Sequence, residues 1–404
     1  MLAYDRSTRM EHAKKRVAVA YHFFAHYRAA VIERLARDPR HQWDFYGDVR
    51  DFDSDIKPAD FSPNVRFHRL PCRRVRGPVM WQSGLVGLAL SRRCDVMIFL
   101  GSPKYLATWI AAPLARLTGK RVLFWTHGWT KDPHGAGGAF KKLFYRLADA
   151  LLIYGRWGRQ VGLWEGFEPA RLHVIYNSLD TDKQRAALAA IPPGRPAEIR
   201  RGFFGEDTTP VIACTTRLTR ARRLDMLFDA VALLAKEGVR ANVALVGDGA
   251  ERANLEAHAK RLGINVKFVG ACYDEVRIGE ILRASNVCVA PGQVGLSAMH
   301  AMAFGIPVVS HGDRPNQMPE FESIIPGKTG SLFQEGDLRS LADAIRPWLA
   351  TQWVPDATSA ECRRIIDRFW NPEFQARAII RAVEGRPADD LFWIKEPPLE
   401  GAAQ

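Results

Sequence analysis

Cysteine is scarce in this chain of 404 residues. The six thiols, at positions 72, 94, 214, 272, 288 and 362, form no Cys-x-x-Cys pair and have no histidine at zinc-finger spacing. A disulfide scaffold and a zinc module are excluded, and the thiols read as small buried hydrophobes in a reducing compartment. Long apolar runs are missing as well. The N-terminal MLAYDRSTRMEHAKKR has no signal-peptide core, and the stretch from Pro78 to Leu90 is broken by Gln82 and Ser83 and stopped by Arg92 and Arg93. Neither a membrane-spanning helix nor export is expected. Low-complexity tracts are absent too. The acidic cluster DFDSD at 51–55 fails as a calcium loop, because Ile56 and Ser62 stand where glycine and glutamate are needed, and it reads as solvated loop.

What is present is the balance of a folded protein, 47% apolar and 25% charged. The length exceeds what one core usually supports, so two domains are expected. Charge is divided unevenly between them: residues 1–190 hold 31 Lys and Arg against 17 Asp and Glu, whereas residues 191–404 hold 26 against 27. A basic first half points to an anionic partner, whether nucleic acid, an anionic membrane surface or a phosphorylated acceptor.

From Lys15 onward, short β-branched or aromatic runs alternate with amphipathic helical stretches: RVAVAYHFF, YRAAVIERLARD, QWDFYGD, then CDVMIFLG, YLATWIAAPLARLTG and KRVLFWTHG. The alternation predicts parallel strands covered by helices on both faces. The scheme restarts after IPPGRPAEIRRGFFGEDTTP at 191–210, whose four prolines suit a linker. The expected architecture is α/β, two Rossmann-like doubly wound domains facing a central cleft. The boundaries are 14–190 and 191–365, with 366–404 a C-terminal helix returning to the first domain, plus a tail. Ligand belongs at the carboxyl ends of the strands.

Two segments of the second half carry anion-binding chemistry. In NVCVAPGQVGLSAMHAMAFG a strand ends near Pro291, a glycine-bearing loop follows, and Leu296 or Ser297 opens a helix. Free backbone N–H groups and the positive helix end converge there, as a phosphate requires. TTRLTRARRL places Arg217 and Arg222 five apart at the end of another strand, where guanidinium groups reach a diphosphate.

These segments, with VGDGAERANLEAHA, VKFVGACYDE, AMAFGIPVVS and MPEFESIIPGKTG, make residues 210–345 resemble the donor domain of the family 4 retaining glycosyltransferases (glycosyl transferases group 1), which have the glycosyltransferase-B fold. The first half resembles the family more loosely, through THG at 126–128 and the crossover segment at 154–180. The resemblance implies transfer of a sugar from a UDP- or GDP-linked donor to a saccharide or lipid-linked acceptor, without a metal and without a cofactor beyond the nucleotide-sugar. It puts Arg217 and Arg222 on the diphosphate, Gly247 beside the nucleotide, Tyr273 at the base, and Gly295, Leu296 and Ser297 at the phosphate-binding helix start. His127 and Glu320 are the expected catalytic residues facing the sugar or the attacking hydroxyl.

The chain departs from the family at two positions. Two glutamates eight apart usually contact the transferred sugar and the ribose; here those places hold Gly292 and His300. Gln293 is a substitute for the sugar contact, and His300 for the ribose contact, since an imidazole gives or takes one hydrogen bond. The resemblance further implies retention, with the acceptor attacking from the leaving-group side and the departing phosphate taking its proton. A cytoplasmic enzyme, peripheral at the inner face of a bacterial plasma membrane and serving surface polysaccharide or lipopolysaccharide synthesis, fits the basic first half. There LPCRRVRGPVMWQSG reads as a cationic loop with Val79, Met80 and Trp81 at its tip, and AFKKLFYRLADA as a helix with its apolar face inward and its basic residues outward. The alternatives are a nucleotide-sugar epimerase of the same fold and a basic nucleic-acid binder; no RNA-recognition or helix-turn-helix signature supports the latter.

Overall fold

The structure is a computed structural model that describes residues 14–51, 56–129, 136–206 and 208–388. Most of the DFDSD loop lies outside the described residues. The first half contains β1 (Arg16–Phe23), β2 (Gln42–Asp48), β3 (Phe67–Arg69), β4 (Cys72–Arg76), β5 (Val79–Gln82), β6 (Val96–Leu100), β7 (Arg121–Thr126), β8 (Ala150–Ile153) and β9 (Leu172–Val174). Its helices are α1 (Ala29–Ala36), α2 (Leu85–Leu90), α3 (Leu106–Leu117), α4 (Ala136–Tyr145) and α5 (Arg156–Trp164). Seven strands pair in the order β3-β2-β1-β6-β7-β8-β9, all parallel. β1, β6 and β8 are buried on both faces, which is why they read as near-continuous apolar runs instead of alternating ones.

The chain then crosses over through α6 (Thr181–Ala190) and α7 (Arg195–Phe204). The second half follows with β10 (Val211–Thr215), β11 (Asn242–Val246), β12 (Val266–Gly270), β13 (Val287–Ala290), β14 (Val308–His311) and β15 (Gly330–Phe333). Its helices are α8 (Leu224–Lys236), α9 (Arg252–Leu262), α10 (Glu275–Arg283), α11 (Leu296–Ala303) and α12 (Leu338–Ile345). The strand order is β12-β11-β10-β13-β14-β15, again parallel. α8 shows why the amphipathic reading works: Leu224, Leu227, Phe228, Val231 and Leu234 recur at helical spacing and all are buried.

The segment expected as linker is partly helical. Pro196 lies in the first turn of α7, where its missing N–H costs nothing, and Gly205 ends the helix in the left-handed conformation at φ 81°. Both α6 and α7 pack on α10 of the second half. At the end of the described chain, α13 (Asp356–Phe369) packs on α11, and α14 (Pro372–Glu384) returns to pack on α1 of the first half. The outgoing and returning crossings meet: the Tyr176 ring lies 4.5 Å from that of Trp370, and Gln375 Nε2 donates to the Tyr176 carbonyl at 2.7 Å. Tyr176 holds φ 50°, a left-handed conformation disfavoured for an aromatic residue and kept by this packing.

Candidate active site in the interdomain cleft

The strand order of the second sheet reverses between β10 and β13, and the loops leaving those two strands part to open a pocket at their carboxyl ends. That pocket has an empty volume of about 250 Å³, and Thr215, Thr216, Arg222, Gly292, Gln293 and Ser297 are among its lining residues. Gly295, at φ 52°, turns the chain so that Leu296 starts α11, and Ser297 Oγ ties this helix start to the Thr215 carbonyl at 2.6 Å. Leu296 is itself half-buried behind the turn. Across the mouth, the Arg222 guanidinium donates to the Gln293 carbonyl. A cation, a helix N-terminus and a glycine loop therefore meet at one point, the arrangement that binds phosphate oxygens.

Arg217 differs from Arg222. It is exposed on the loop after β10 and does not line the pocket. Gly292 is held to glycine by crowding: a Cβ there would stand 2.4 Å from the Ala221 carbonyl oxygen and 3.1 Å from Arg222 Cα. No carboxylate side chain fits at this position while the arginine loop lies where it does. The Gln293 side chain is exposed and donates to the Asn316 carbonyl at 3.2 Å. Gly247, at φ 146°, lets its loop press on Thr216, whose carbonyl oxygen a Cβ would approach to 1.8 Å. Tyr273 is 68% exposed, and the Lys57 ammonium of the first half reaches across to within 4.6 Å of its ring centroid.

His300 is half-buried one turn along α11 from Ser297, and its Nε2 lies 2.8 Å from Glu275 Oε1. Neither residue lines the pocket under Arg222; the imidazole is bound to a carboxylate from the start of α10, 25 residues earlier in the chain. Burial pushes the Glu275 pKa up, but the hydrogen bond and charge of His300, with Gln184 and Lys183 of α6 nearby, outweigh it and leave the carboxyl below its usual range.

The first half contributes the opposite wall. His127 follows β7, its ring 4.8 Å from that of Tyr154. The residue is exposed at the edge of the second pocket, yet the protein packed around its ring desolvates it, and this, helped by Arg28 and Lys141, pushes its pKa down to about 4. It is therefore a neutral imidazole at pH 7. Arg28 is buried among Tyr21, Trp125 and Tyr154 and donates to the Tyr154 hydroxyl.

Glu320 does not face the cleft as the sequence suggests. It is 97% buried, with 3% of its surface accessible, accepts from Asn177 Nδ2 at 2.9 Å and lines neither pocket described here, and burial pushes its pKa up. The acid at the cleft is Glu322, whose two oxygens accept from the backbone N–H groups of Arg156 and Trp157 at 2.7 and 2.8 Å, joining the second half to the start of α5. Gly155 makes room for it, since a Cβ there would lie 2.7 Å from Glu322 Oε1. Glu322 lines a second pocket, about 270 Å³ in empty volume, together with His127, Trp129, Trp157 and Arg314. Arg314 is the residue that sequence reasoning passed over; the short spacing from PVVS to MPEFES was its only signal. Among the described residues no group of three His, Cys, Asp or Glu side chains is placed to hold a metal ion.

Residues 209–351 match the family described as Glycosyl transferases group 1. The whole fold aligns with the apo form of the lipopolysaccharide outer core galactosyltransferase WaaB, at TM-score 0.66 and 15% identity over 91% of this chain and 99% of that one. It aligns equally with HepE of Anabaena in complex with UDP, at TM-score 0.67 and 16% identity, with the same coverage. The chain has the glycosyltransferase-B fold. In sequence it is similar to the GDP-mannose-dependent monoacylated alpha-(1-6)-phosphatidylinositol monomannoside mannosyltransferase of Corynebacterium glutamicum, 25% identical over 227 residues and 53% of this chain. The match spans 58% of that relative's length. Of the two pockets, the first is lined by the second half alone, and the second by residues of both halves.

Proposed function

We propose that the chain is a glycosyltransferase that moves a hexosyl group from a UDP- or GDP-sugar to a saccharide or lipid-linked acceptor. The observation that carries this reading is the pocket in which Arg222, Gly292 and the Ser297 helix start converge at the reversal of the second sheet. Cleavage of the donor leaves a nucleoside diphosphate, and groups positioned beforehand on its oxygens stabilise the charge that develops there. Arg222 and the α11 N–H groups serve that purpose. The reading assigns no protein nucleophile and no metal: the neutral His127 orients a hydroxyl by hydrogen bonding, the acceptor attacks from the leaving-group side, and the phosphate takes its proton, with retention.

The acceptor side of the proposal is a lipid-linked saccharide at an anionic membrane, in surface polysaccharide or lipopolysaccharide synthesis. Its support differs in form from the sequence expectation. RRVRGPVMWQ is a β-hairpin, β4 with β5, in which Arg73, Arg74, Val75 and Arg76 are exposed while Met80 is buried against the start of α3. In α4 the apolar face divides: Phe144 is in the core, but Phe140 and Leu143 point to solvent. Lys141 turns inward, its pKa lowered to about 8 by burial, and Lys142 pairs with Glu165 at 3.3 Å. Trp109 bridges α3 to Phe140, with ring centroids 4.8 Å apart, so the exposed Leu106 and Ile110 of α3 extend the same surface. No helix among the described residues is long and apolar enough to cross a membrane; exposed arginines on the hairpin and exposed apolar side chains on α3 and α4 suit reversible attachment instead.

Calorimetric titration with UDP and GDP tests the donor site. Arg222→Ala is expected to weaken the preferred nucleotide by about 1.5 to 3 kcal/mol, the worth of a charge-assisted hydrogen bond. Undiminished affinity in a folded variant refutes the assignment.

A further inference from the structure

The polar atoms of the second pocket are spent unevenly. Trp129 is buried, 2% exposed, and among the described residues its indole N–H has no hydrogen-bond partner; the Trp157 indole N–H is buried without a partner among them too. Buried polar groups are nearly always bonded, so two unpaired donors on residues that line one pocket call for an explanation. The Arg314 guanidinium lies over the Trp157 ring, 5.4 Å from its centroid, and makes no ion pair among the described residues. The acceptors, by contrast, are used. Both Glu322 oxygens take α5 backbone N–H groups. Gln317 accepts from Val294 and Met318 N–H through Oε1 and donates to Ser310 Oγ and the His311 carbonyl through Nε2. Gln317 also separates this pocket from the one under Arg222, because Val294 belongs to the latter.

We propose that this pocket binds an oxyanion, a phosphate or a carboxylate, carried by the acceptor saccharide. The inference rests on the transferase reading and names its acceptor class. An indole N–H and a guanidinium only donate, so a wall whose unspent groups are donors is satisfied by a ligand group that only accepts; a neutral hydroxyl would bring a hydrogen of its own with few acceptors to receive it. His127, neutral at pH 7, stands at the edge of the same pocket and is free to hold the neighbouring hydroxyl. Glu322 does not oppose the anion unscreened: burial pushes its pKa up, and the charge it carries sits on the start of α5 with the Arg156 guanidinium 3.9 Å away.

The test is calorimetric titration of the full chain with glucose 6-phosphate, glucuronate and glucose, each with and without saturating UDP or GDP. Binding of at least one charged sugar, with glucose weaker by about tenfold or more, is the expected result. Which charged sugar binds distinguishes phosphate from carboxylate. Trp157→Phe, which keeps an aromatic ring under Arg314 and removes only the N–H-bearing part, and Arg314→Gln should each weaken that sugar by about tenfold while the melting-temperature rise caused by nucleotide is preserved. Equal binding of glucose, binding of neither charged sugar, or unchanged affinity in both variants overturns the inference. Loss of the nucleotide-induced rise in the unaltered chain would instead overturn the transferase reading.

Discussion

Restoring the acid that the family resemblance expects, by Gly292→Glu, should damage the protein instead of improving it. The Cβ alone would stand 2.4 Å from the Ala221 carbonyl oxygen and 3.1 Å from Arg222 Cα and the next backbone atom at 3.2 Å. These are backbone atoms, so no side-chain rotation relieves the contact and the 220–222 turn must move. Overpacking of this kind costs about 1 to 3 kcal/mol. With a melting shift of about 2 to 4 °C per kcal/mol for a domain of this size, the transition of the second half should fall by roughly 2 to 12 °C. Because the displaced turn carries Arg222, nucleotide affinity should fall as well. Gly292→Ala separates the two causes: it carries the same Cβ without a charge and should reproduce most of the stability loss. The assays are calorimetric melting and titration with UDP or GDP. A Gly292→Glu protein that melts with the parent chain and binds nucleotide more tightly would refute the reasoning.

Glu275 and His127 respond to pH in ways fixed by their surroundings. The Glu275 carboxyl is held below its unfolded value, so its contribution is present above the ordinary carboxylate range and is lost as pH falls through the lowered value; Glu275→Gln should cost about 1 to 2 kcal/mol by urea unfolding at pH 7 and progressively less as the pH is lowered through and below the carboxylate range. His127, with its pKa near 4, should show an imidazole NMR titration centred far below 6.5 and no charge change between pH 6 and 8. Its neutral form is favoured in the fold, so any stability it confers is complete above pH 6.5 and declines as pH falls toward 4. At the proposed membrane face, co-sedimentation should require anionic vesicles, weaken with salt, and drop when Arg73, Arg74 and Arg76 become Glu; equal recovery on neutral vesicles refutes that attachment.

Local pattern was enough to read two parallel sheets with their covering helices, because a strand buried on both faces must be apolar throughout and a covering helix must repeat its apolar residues at helical spacing. The anion-binding loop was equally legible, since Gly295 and Ser297 act through the backbone they sit on. What chain distance separates could not be read. Glu320 and Glu322 both belong to MPEFES, yet in a tight helical turn of three residues side chains two apart point in different directions, and only the packing of this turn against α5 sends Glu322 to the cleft and buries Glu320 against Asn177. The partner of His300 comes from α10, and the turn that forces glycine at 292 comes from 71 residues earlier in the chain, Ala221. In α4 the sequence gives an amphipathic helix without saying how far it is rotated; contact with Trp109 and the core around Phe144 sets that rotation and leaves Phe140 and Leu143 outside. Periodicity determines that an element has a face, whereas which residues meet across the cleft is decided only when the two halves pack.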